Sequence, residues 1–187
     1  MAHILIAYST TDGHTGQICE RLRKVLEPQG HRVSVKLIKD CGAADLEACD
    51  AVVIGASIRY GKHKPEVAEF IGRHQATLTR KPNALFSVNV VARKPGKDRA
   101  EGNPYLQKFL RTIRWQPQRL AVFAGRIDYP SLGPVDRTMI RFIMWMTKGP
   151  TDPKAVVEFT DWSRVEAFGA EVAKMVPAMP EPPLKAA

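Results

Sequence analysis

Hydroxyl side chains and a glycine are concentrated between Ser9 and Thr15, directly after the first apolar run of the chain. A helical pattern begins at the end of this stretch, so free backbone N–H groups of a helix N-terminus would lie beside the hydroxyls. Together these donors can surround a phosphate dianion without a lysine. The same residue types also make a good turn and helix cap, and composition alone leaves both interpretations open. The residues predicted to bind the phosphate are Ser9, Thr10, Thr11, Asp12, Gly13, His14 and Thr15.

Other phosphate chemistries require residues that the chain lacks. It contains no GxxxxGK[ST] motif, no GxGxxG motif after the first apolar run, and no acidic residues at the end of that run. Nucleoside triphosphatases, dinucleotide-binding proteins and receiver-type phosphotransfer domains are therefore disfavoured. Cys19, Cys41 and Cys49 have neither CxxC nor metal-ligand spacing, so we expect no metal site and no disulfide framework, which fits a reducing cytosol.

Two later stretches follow strand-length apolar runs and are expected at the same edge as the Ser9 to Thr15 loop. Tyr60 in the first stretch can stack on a ligand, and Asn89 in the second can form hydrogen bonds with one. Taken singly, Tyr60 is better explained as a turn residue and Asn89 as a helix cap, whereas the three loops together favour a bound cofactor. The residues of these two stretches that are predicted to contact it are Ala56, Ser57, Ile58, Tyr60, Gly61, Ser87, Val88, Asn89 and Val90.

Strand-length apolar runs alternate with helical patterns, which is typical of βαβ units. The run His31 to Leu37 alternates apolar and polar residues, as an edge strand does, whereas the others are continuous and so buried on both faces. We therefore predict an α/β protein with a doubly wound, five-stranded parallel sheet and helices on both faces. The other predicted strands are Ile4 to Tyr8, Ala51 to Ala56, Ala84 to Val88 and Leu120 to Ala124.

Apolar residues at helical spacing predict the connecting helices. One helix carries Ile18, Leu22 and Leu26, a second begins at Pro65, and a third carries Tyr105, Phe109 and Ile113. The last helix carries Val165, Phe168 and Val172, and Ser163 with Glu166 has the spacing of a capping box at its start.

Two stretches exceed what this fold requires. Arg93 to Gly102 is a long polar stretch after the fourth strand, rich in Lys, Arg and Gly. Pro134 to Gly149 is a strongly apolar helix whose inner face is predicted to carry Val135, Met139, Phe142 and Met146. The remaining apolar residues of this helix border Arg137, Arg141 and Lys148, an arrangement that suits an anionic membrane surface, although core packing or a homo-oligomer contact explains it almost as well.

The 187-residue chain has a formal charge of +9, and all of this excess lies between Arg80 and Arg126. A basic segment favours an anionic partner. We expect one domain over residues 1–176 and a Pro-rich, disordered tail over 177–187. The start of the sequence lacks the charged and apolar regions of a signal peptide, and no apolar stretch is long enough to span a bilayer.

The loop after the first strand resembles the flavodoxin signature, which Tyr8, Thr10, Gly13 and Thr15 match. Cys19 and Ala7 depart from that signature, both at packing positions. The resemblance implies a flavodoxin-like fold with FMN as the cofactor, its phosphate in this loop and its isoalloxazine ring between the two later loops.

A denser resemblance runs from about Ile4 to Ala173. The strings IGASIRYG, FSVNVVARKP, YLQKFL and YP...DRTMIRFIMWM are similar to the menaquinone-dependent protoporphyrinogen IX dehydrogenase family. That resemblance implies flavin-centred oxidation of protoporphyrinogen IX in haem biosynthesis, with electrons passed to menaquinone or ubiquinone. It also implies a location on the cytoplasmic face of the inner membrane, and a long insertion after the fourth strand, Arg93 to Trp115.

Within that resemblance, Arg93, Lys94 and Lys97 are expected to receive the substrate's propionates through charge-assisted hydrogen bonds. No catalytic side chain is assigned. His14 and His63 are candidates for proton carriers, but a lone loop histidine is more often solvated, which is the expectation for both. An electron-carrier flavodoxin and a flavodoxin-type NAD(P)H:quinone reductase are the alternatives, although such carriers are usually acidic. A nucleic-acid module is disfavoured because the chain has no recognition motif.

Overall fold

The computed structural model describes residues 1–176. The predicted tail, residues 177–187, lies outside the described residues. In chain order the elements are β1 His3–Ser9, α1 His14–Leu26, β2 Arg32–Leu37, α2 Ala43–Glu47, β3 Ala51–Arg59, β4 Lys62–His63, α3 Pro65–Arg80, β5 Asn83–Val88, α4 Pro104–Thr112, β6 Arg119–Phe123, β7 Arg126–Asp128, α5 Pro134–Met146, β8 Val156–Glu158 and α6 Trp162–Met175.

Five strands form a parallel sheet in the order β2-β1-β3-β5-β6. The predicted five-stranded parallel sheet is therefore confirmed, with β2 at one edge. The two-residue β4 adds an antiparallel pair to the end of β3. The chain order reverses at β1, so the loops after β1 and β3 open beside each other at the carboxyl edge, where such sheets bind ligands.

Alternation along each strand sends side chains into two separate cores. Ile4 and Ile6 of β1 face α1 and α6, whereas Leu5 and Ala7 face α3 and α4. Helices therefore cover both faces of the sheet, as the continuous apolar runs predict. The ends of β1, β3 and β5 are consequently held on a rigid layer.

The last helix begins differently from the sequence prediction. The N-cap of α6 is Asp161, whose carboxylate accepts hydrogen bonds from the backbone N–H groups of Ser163 (3.0 Å) and Arg164 (3.3 Å). The predicted capping box of Ser163 with Glu166 is therefore wrong. The carboxylate two residues earlier satisfies the free N–H groups and fixes the helix start.

The stretch after β5 contains a short 3-10 helix, a turn-rich segment and then α4. Residues 104–112 of the predicted insertion are thus the ordinary connecting helix between β5 and β6. A larger addition, residues 124–161, follows β6. It comprises the antiparallel pair β7 and β8 with α5 between them, and a third small core around Ile127, Tyr129 and Met144 holds it together.

The orientation of α5 was predicted wrongly. The residues expected on its inner face are exposed, with Val135 at 77% and Phe142 at 53% of their full accessibility. Met144 is buried instead, and Ile140 and Ile143 pack beside it. The helix is apolar on two faces, so periodicity alone could not tell which face meets the protein.

A substitution at Gly55 in β3 tests how tightly side chains pack on the sheet. A Cβ atom at this position would lie 2.3 Å from Cζ of the buried Phe86, so Gly55→Ala requires the ring to move. We expect a loss of about 1–3 kcal/mol in the free energy of unfolding, measured by urea denaturation. The control is Gly72→Ala on the exposed side of α3, where nothing lies within 4 Å and a gain of about 0.5–1 kcal/mol is expected. Equal effects of the two substitutions would contradict this account.

Candidate cofactor site

A cavity of about 280 Å³ lies at the carboxyl edge of the sheet. The loops after β1, β3 and β5 form one side of it, and the addition after β6 forms the other. Of the residues predicted from the sequence, the wall contains Thr10, Asp12, His14, Thr15, Ser57, Ile58, Val88, Asn89 and Val90. The fold therefore brings members of all three predicted loops to one cavity.

Other predicted site residues do not line this wall. Ser9 donates its hydroxyl hydrogen bond to Glu66, and the Ser87 hydroxyl is bonded to Nε2 of His63 at 2.9 Å. Tyr60 is half-exposed, and its hydroxyl is bonded to the carboxylate of Asp136 on α5. The others outside the wall are Thr11, Gly13, Ala56 and Gly61.

The loop after β1 forms a tight turn that leads directly into α1. Gly13 caps α1 with φ of 79°, in the left-handed region that favours glycine, and its N–H donates to Oγ1 of Thr10 at 3.0 Å. Lys64 donates to the backbone oxygen of Thr10 at 2.6 Å and holds the loop against α3. Thr15 belongs to the cavity wall, and its buried hydroxyl has no partner in the described part of the chain. The N-terminus of α1 and this hydroxyl thus place donors at the start of one helix.

The side chain of His14 is buried, not solvated as expected. Its Nε2 lies 2.7 Å from Oγ1 of Thr160, and that hydroxyl donates to the backbone oxygen of Ala124. Since the Thr160 proton is already committed, Nε2 of His14 must be the donor. His14 is therefore a structural link between the first loop and the addition.

The orientation of the Asn89 amide on the cavity wall follows from its hydrogen bonds. Its Oδ1 accepts from the backbone N–H of Ala92 (3.1 Å) and from Nδ2 of Asn103 (3.2 Å). Because the backbone N–H can only donate, the amide oxygen must face these two partners. The buried Nδ2 of Asn89 has no partner among residues 1–176.

Four buried side-chain atoms on the wall have no hydrogen-bond partner within residues 1–176, and all four can donate. They belong to Thr15, Ser57, Asn89 and Arg126. Unpaired buried donors each cost about 1–3 kcal/mol. The cavity therefore fits a ligand rich in acceptors, as a flavin with its carbonyls, ring nitrogens and phosphate is.

An ionic clamp joins the first loop to α5, and sequence reasoning missed it. The terminal nitrogens of Arg59 lie 2.9 Å from a carboxylate oxygen of Asp12 and 2.7 Å from one of Asp136. The hydrogen bond from Tyr60 and the contact with Arg59 lower the pKa of Asp136. This clamp holds α5 over the cavity.

The wall from the addition was also missed. It contains Gly125, Arg126, Ile127 and Asp128, together with the inner face of α5. These residues follow no motif, and only the apolar character of α5 marks the segment in the sequence. Their side chains make the far wall partly apolar.

Arg93, Lys94 and Lys97 do not line the main cavity. Arg93 donates to the backbone oxygens of Val90 (3.1 Å) and Thr147 (3.0 Å), and so ties the end of α5 to the loop after β5. Arg93 and Lys94 line a separate groove of about 320 Å³, whereas Lys97 is exposed. Their predicted contact with substrate stays a prediction.

Within residues 1–176, no helix is long and apolar enough to cross a membrane. The same residues contain no cluster of His, Cys, Asp or Glu side chains with the geometry of a metal site.

The fold and the cavity define a flavodoxin-type protein. Residues 5–154 match the family described as Flavodoxin domain, and such a domain implies a flavin cofactor. Flavodoxin 1 from Bacillus cereus has a TM-score of 0.56 over 94% of this chain and 100% of its own, at 15% identity. A short-chain flavodoxin associated with a bacterial microcompartment gives 0.57 over 96% and 100%, at 14% identity. These two structures support the fold alone.

Curated relatives are far more similar. The Escherichia coli K12 protein named protoporphyrinogen IX dehydrogenase (quinone) is 42% identical over 91% of this chain and 94% of its own length. A protein of the same name from Leishmania major is 39% identical over 96% of this chain and 78% of its own. The chain belongs to the quinone-dependent protoporphyrinogen IX dehydrogenase family.

His63 gives the fold a measurable pH dependence. Burial beside Phe109, whose ring centroid is 4.4 Å away, lowers the pKa of His63 from 6.5 to about 4. The unfolded chain therefore binds a proton at His63 below about pH 6.5, whereas the folded chain binds it only below about pH 4. The free energy of unfolding consequently decreases as the pH falls from about 6.5 to about 4. His63→Gln removes this component, so wild type should lose unfolding free energy faster than the variant between pH 7 and 4.5. Parallel profiles in urea denaturation would contradict the burial effect.

Proposed function

We propose that this chain binds FMN and oxidises protoporphyrinogen IX to protoporphyrin IX in haem biosynthesis, passing the electrons to menaquinone or ubiquinone. The observation that carries the proposal is the donor-lined cavity at the carboxyl edge of a flavodoxin sheet. The names and high identity of the curated relatives support the substrate and the acceptor.

The first loop would hold the phosphate of FMN. The N-terminus of α1 and the Thr15 hydroxyl donate to it, while Gly13 provides the turn that exposes these groups. Binding would thereby satisfy a hydroxyl that is otherwise buried without a partner. Asp12 is paired with Arg59, which reduces its repulsion of the incoming anion.

Two further donors would orient the isoalloxazine ring. Ser57 and Asn89 lie after β3 and β5, on a rigid sheet, and each has an unpaired buried donor. Ile140, Ile143 and Met144 exclude water from the opposite wall. FMN supplies the two-electron acceptor that this chemistry requires, and the side chains supply its position and electrostatic surroundings.

The substrate's carboxylates would meet the basic segment after β5. Lys94 is the best supported of the three predicted substrate ligands, because it lines the groove beside the cavity loops. Arg93 also lines that groove, but its guanidinium is already bonded to Val90 and Thr147 and would act mainly by holding the loop. Lys97 is exposed and free to follow a propionate.

Thr15→Val tests the phosphate site. Valine keeps the shape but removes an unpaired hydroxyl, so we expect unchanged or slightly higher stability of the apoprotein and about a tenfold higher Kd for FMN. The Kd for riboflavin, which lacks the phosphate, should not change. Titration with quenching of flavin fluorescence measures both constants, and Thr79→Val on the exposed side of α3 is the control. An unchanged FMN Kd would place the phosphate elsewhere.

Turnover tests the proposed activity directly. The purified, FMN-loaded protein should form fluorescent protoporphyrin from protoporphyrinogen under anaerobic conditions only when a quinone is added. Rapid reduction of the flavin by NADPH without porphyrin formation would instead indicate a reductase. Flavin that accepts electrons from neither donor would indicate an electron carrier.

We also propose that the outer face of α5 docks on the anionic cytoplasmic surface of the inner membrane. Five of its large apolar side chains are exposed: Val135, Met139, Phe142, Trp145 and Met146. The net charge of +9 favours an anionic surface. Arg137 and Arg141 contribute less to this attraction than the sequence pattern predicts. Their side chains already donate to the backbone oxygens of Tyr129 and Thr151, respectively.

Vesicle co-sedimentation tests this docking face. Phe142→Ser with Trp145→Ser should reduce binding to vesicles rich in anionic lipid by about tenfold or more, because two large apolar side chains no longer enter the interface. Val156→Ser removes an exposed apolar residue on β8 and is the control. Wild-type binding that the double substitution leaves unchanged would contradict the proposal. A concentration-dependent dimer that the double substitution abolishes would assign the face to a second copy.

A further inference from the structure

Arg126 occupies a place on the cavity wall that no sequence pattern indicates. It is the first residue of β7, in the addition after β6, and β7 is fixed by antiparallel pairing with β8. Its side chain is two-thirds buried and lines the cavity. The guanidinium is thus held on a regular element beside the proposed flavin site.

The guanidinium of Arg126 is only partly satisfied. Its Nη2 lies 2.6 Å from a carboxylate oxygen of Asp128, whereas its Nε is buried and has no partner within residues 1–176. Arg59, the other arginine on this wall, has carboxylates at both terminal nitrogens. Arg126 therefore offers a cationic donor for which the described part of the protein provides no acceptor.

Asp128 fixes the orientation of that donor. One of its oxygens binds Arg126, and the other accepts from the backbone N–H of Ser131 at 3.3 Å. The carboxylate therefore cannot rotate freely, and it restrains the guanidinium through one terminal nitrogen. A pre-oriented donor loses less entropy when it binds a ligand than a mobile one does.

The neighbouring unpaired groups indicate what the ligand must offer. Thr15, Ser57 and Asn89 also line this cavity, and each carries a buried donor atom with no partner within residues 1–176. An N–H group of a cation gains most from a charged acceptor, because charge-assisted bonds are about twice as strong as neutral ones. An oxygen anion is thus the best complement to Arg126.

We propose that Arg126 is an oxyanion ligand within the cavity, whose guanidinium binds either the phosphate monoester of the flavin or a carboxylate of the tetrapyrrole substrate. This inference rests on the proposed function for the identity of the two ligands. The chemistry that Arg126 recognises is the same in both cases.

Arg126→Gln and Arg126→Lys test the proposal in the full chain. Glutamine removes the charge, whereas lysine keeps the charge but loses the Nε–H, and lysine provides the comparison if the glutamine variant fails to fold. The measurements are Kd for FMN and for riboflavin, and KM and kcat for protoporphyrinogen and for its dimethyl ester. Arg119→Gln is the control, because this exposed arginine donates only to the backbone of its neighbour Gln118.

Each source of the oxyanion predicts a different pattern. If Arg126 binds phosphate, its loss raises Kd for FMN about tenfold or more and leaves Kd for riboflavin unchanged. If Arg126 binds a substrate carboxylate, Kd for FMN is unchanged, and KM rises about tenfold for the free acid but not for the ester, with little change in kcat. Values within about twofold of wild type for both constants, in both variants, overturn the proposal.

The proposed function can be wrong even if the proposal for Arg126 is right, and a separate experiment distinguishes the two cases. If wild type neither binds FMN nor oxidises protoporphyrinogen, that function is wrong, and inorganic phosphate becomes the probe for Arg126. Phosphate should then raise the Tm of the wild-type apoprotein and of Arg119→Gln but not that of Arg126→Gln or Arg126→Lys. A Tm shift that is equal in all four proteins, or absent from wild type, overturns the proposal.

Discussion

The parallel pairing of β1, β3 and β5 is the constraint on which the site depends. Parallel strands end at the same edge of a sheet, so three loops that are far apart in the sequence meet around one cavity. Close packing on both faces of these strands prevents the loops from shifting independently. The sheet therefore holds unpaired donors toward a ligand, and the stability of the two cores offsets the cost of leaving these donors unpaired.

The addition after β6 converts an open sheet edge into an enclosed site. It provides an apolar wall from α5. Arg59 and Arg93 attach the two ends of that helix to β3 and to the loop after β5. The same helix leaves its outer apolar face exposed. The single helix α5, with a diameter of about 10 Å, thus separates the cavity from the proposed membrane surface. This arrangement suits an enzyme that exchanges electrons with a lipid-soluble quinone.

The sequence predicted the features that depend on local pattern. Continuous apolar runs identified the buried strands to within one or two residues, except that β3 extends to Arg59 because its end pairs with β4. The hydroxyl-rich loop could be predicted to lie at the cavity because it directly follows a strand and leads into a helix, and its binding of phosphate stays a prediction. Asn89 was recognised as a polar group at a strand end, although the direction of its amide required knowledge of its partner Asn103.

The features that were missed depend on contacts between distant segments. Arg126 is a single basic residue with no motif, and only the pairing of β7 with β8 brings it to the cavity. The orientation of α5 could not be derived, since both of its faces are apolar. His63 was expected to be solvated because it follows a loop, yet it packs beside Phe109. Such pairings are set by tertiary structure, which a one-dimensional pattern does not contain.

The contact between Gly55 and Phe86 restricts how this family's sheet can diverge. The aromatic ring fills the volume that any side chain at residue 55 would need. An enlargement at one position must therefore accompany a reduction at the other, and the intermediate single change is disfavoured. Residues 55 and 86 should therefore covary during evolution. The part of the sheet next to the ligand-binding edge should change more slowly than the helices that cover it.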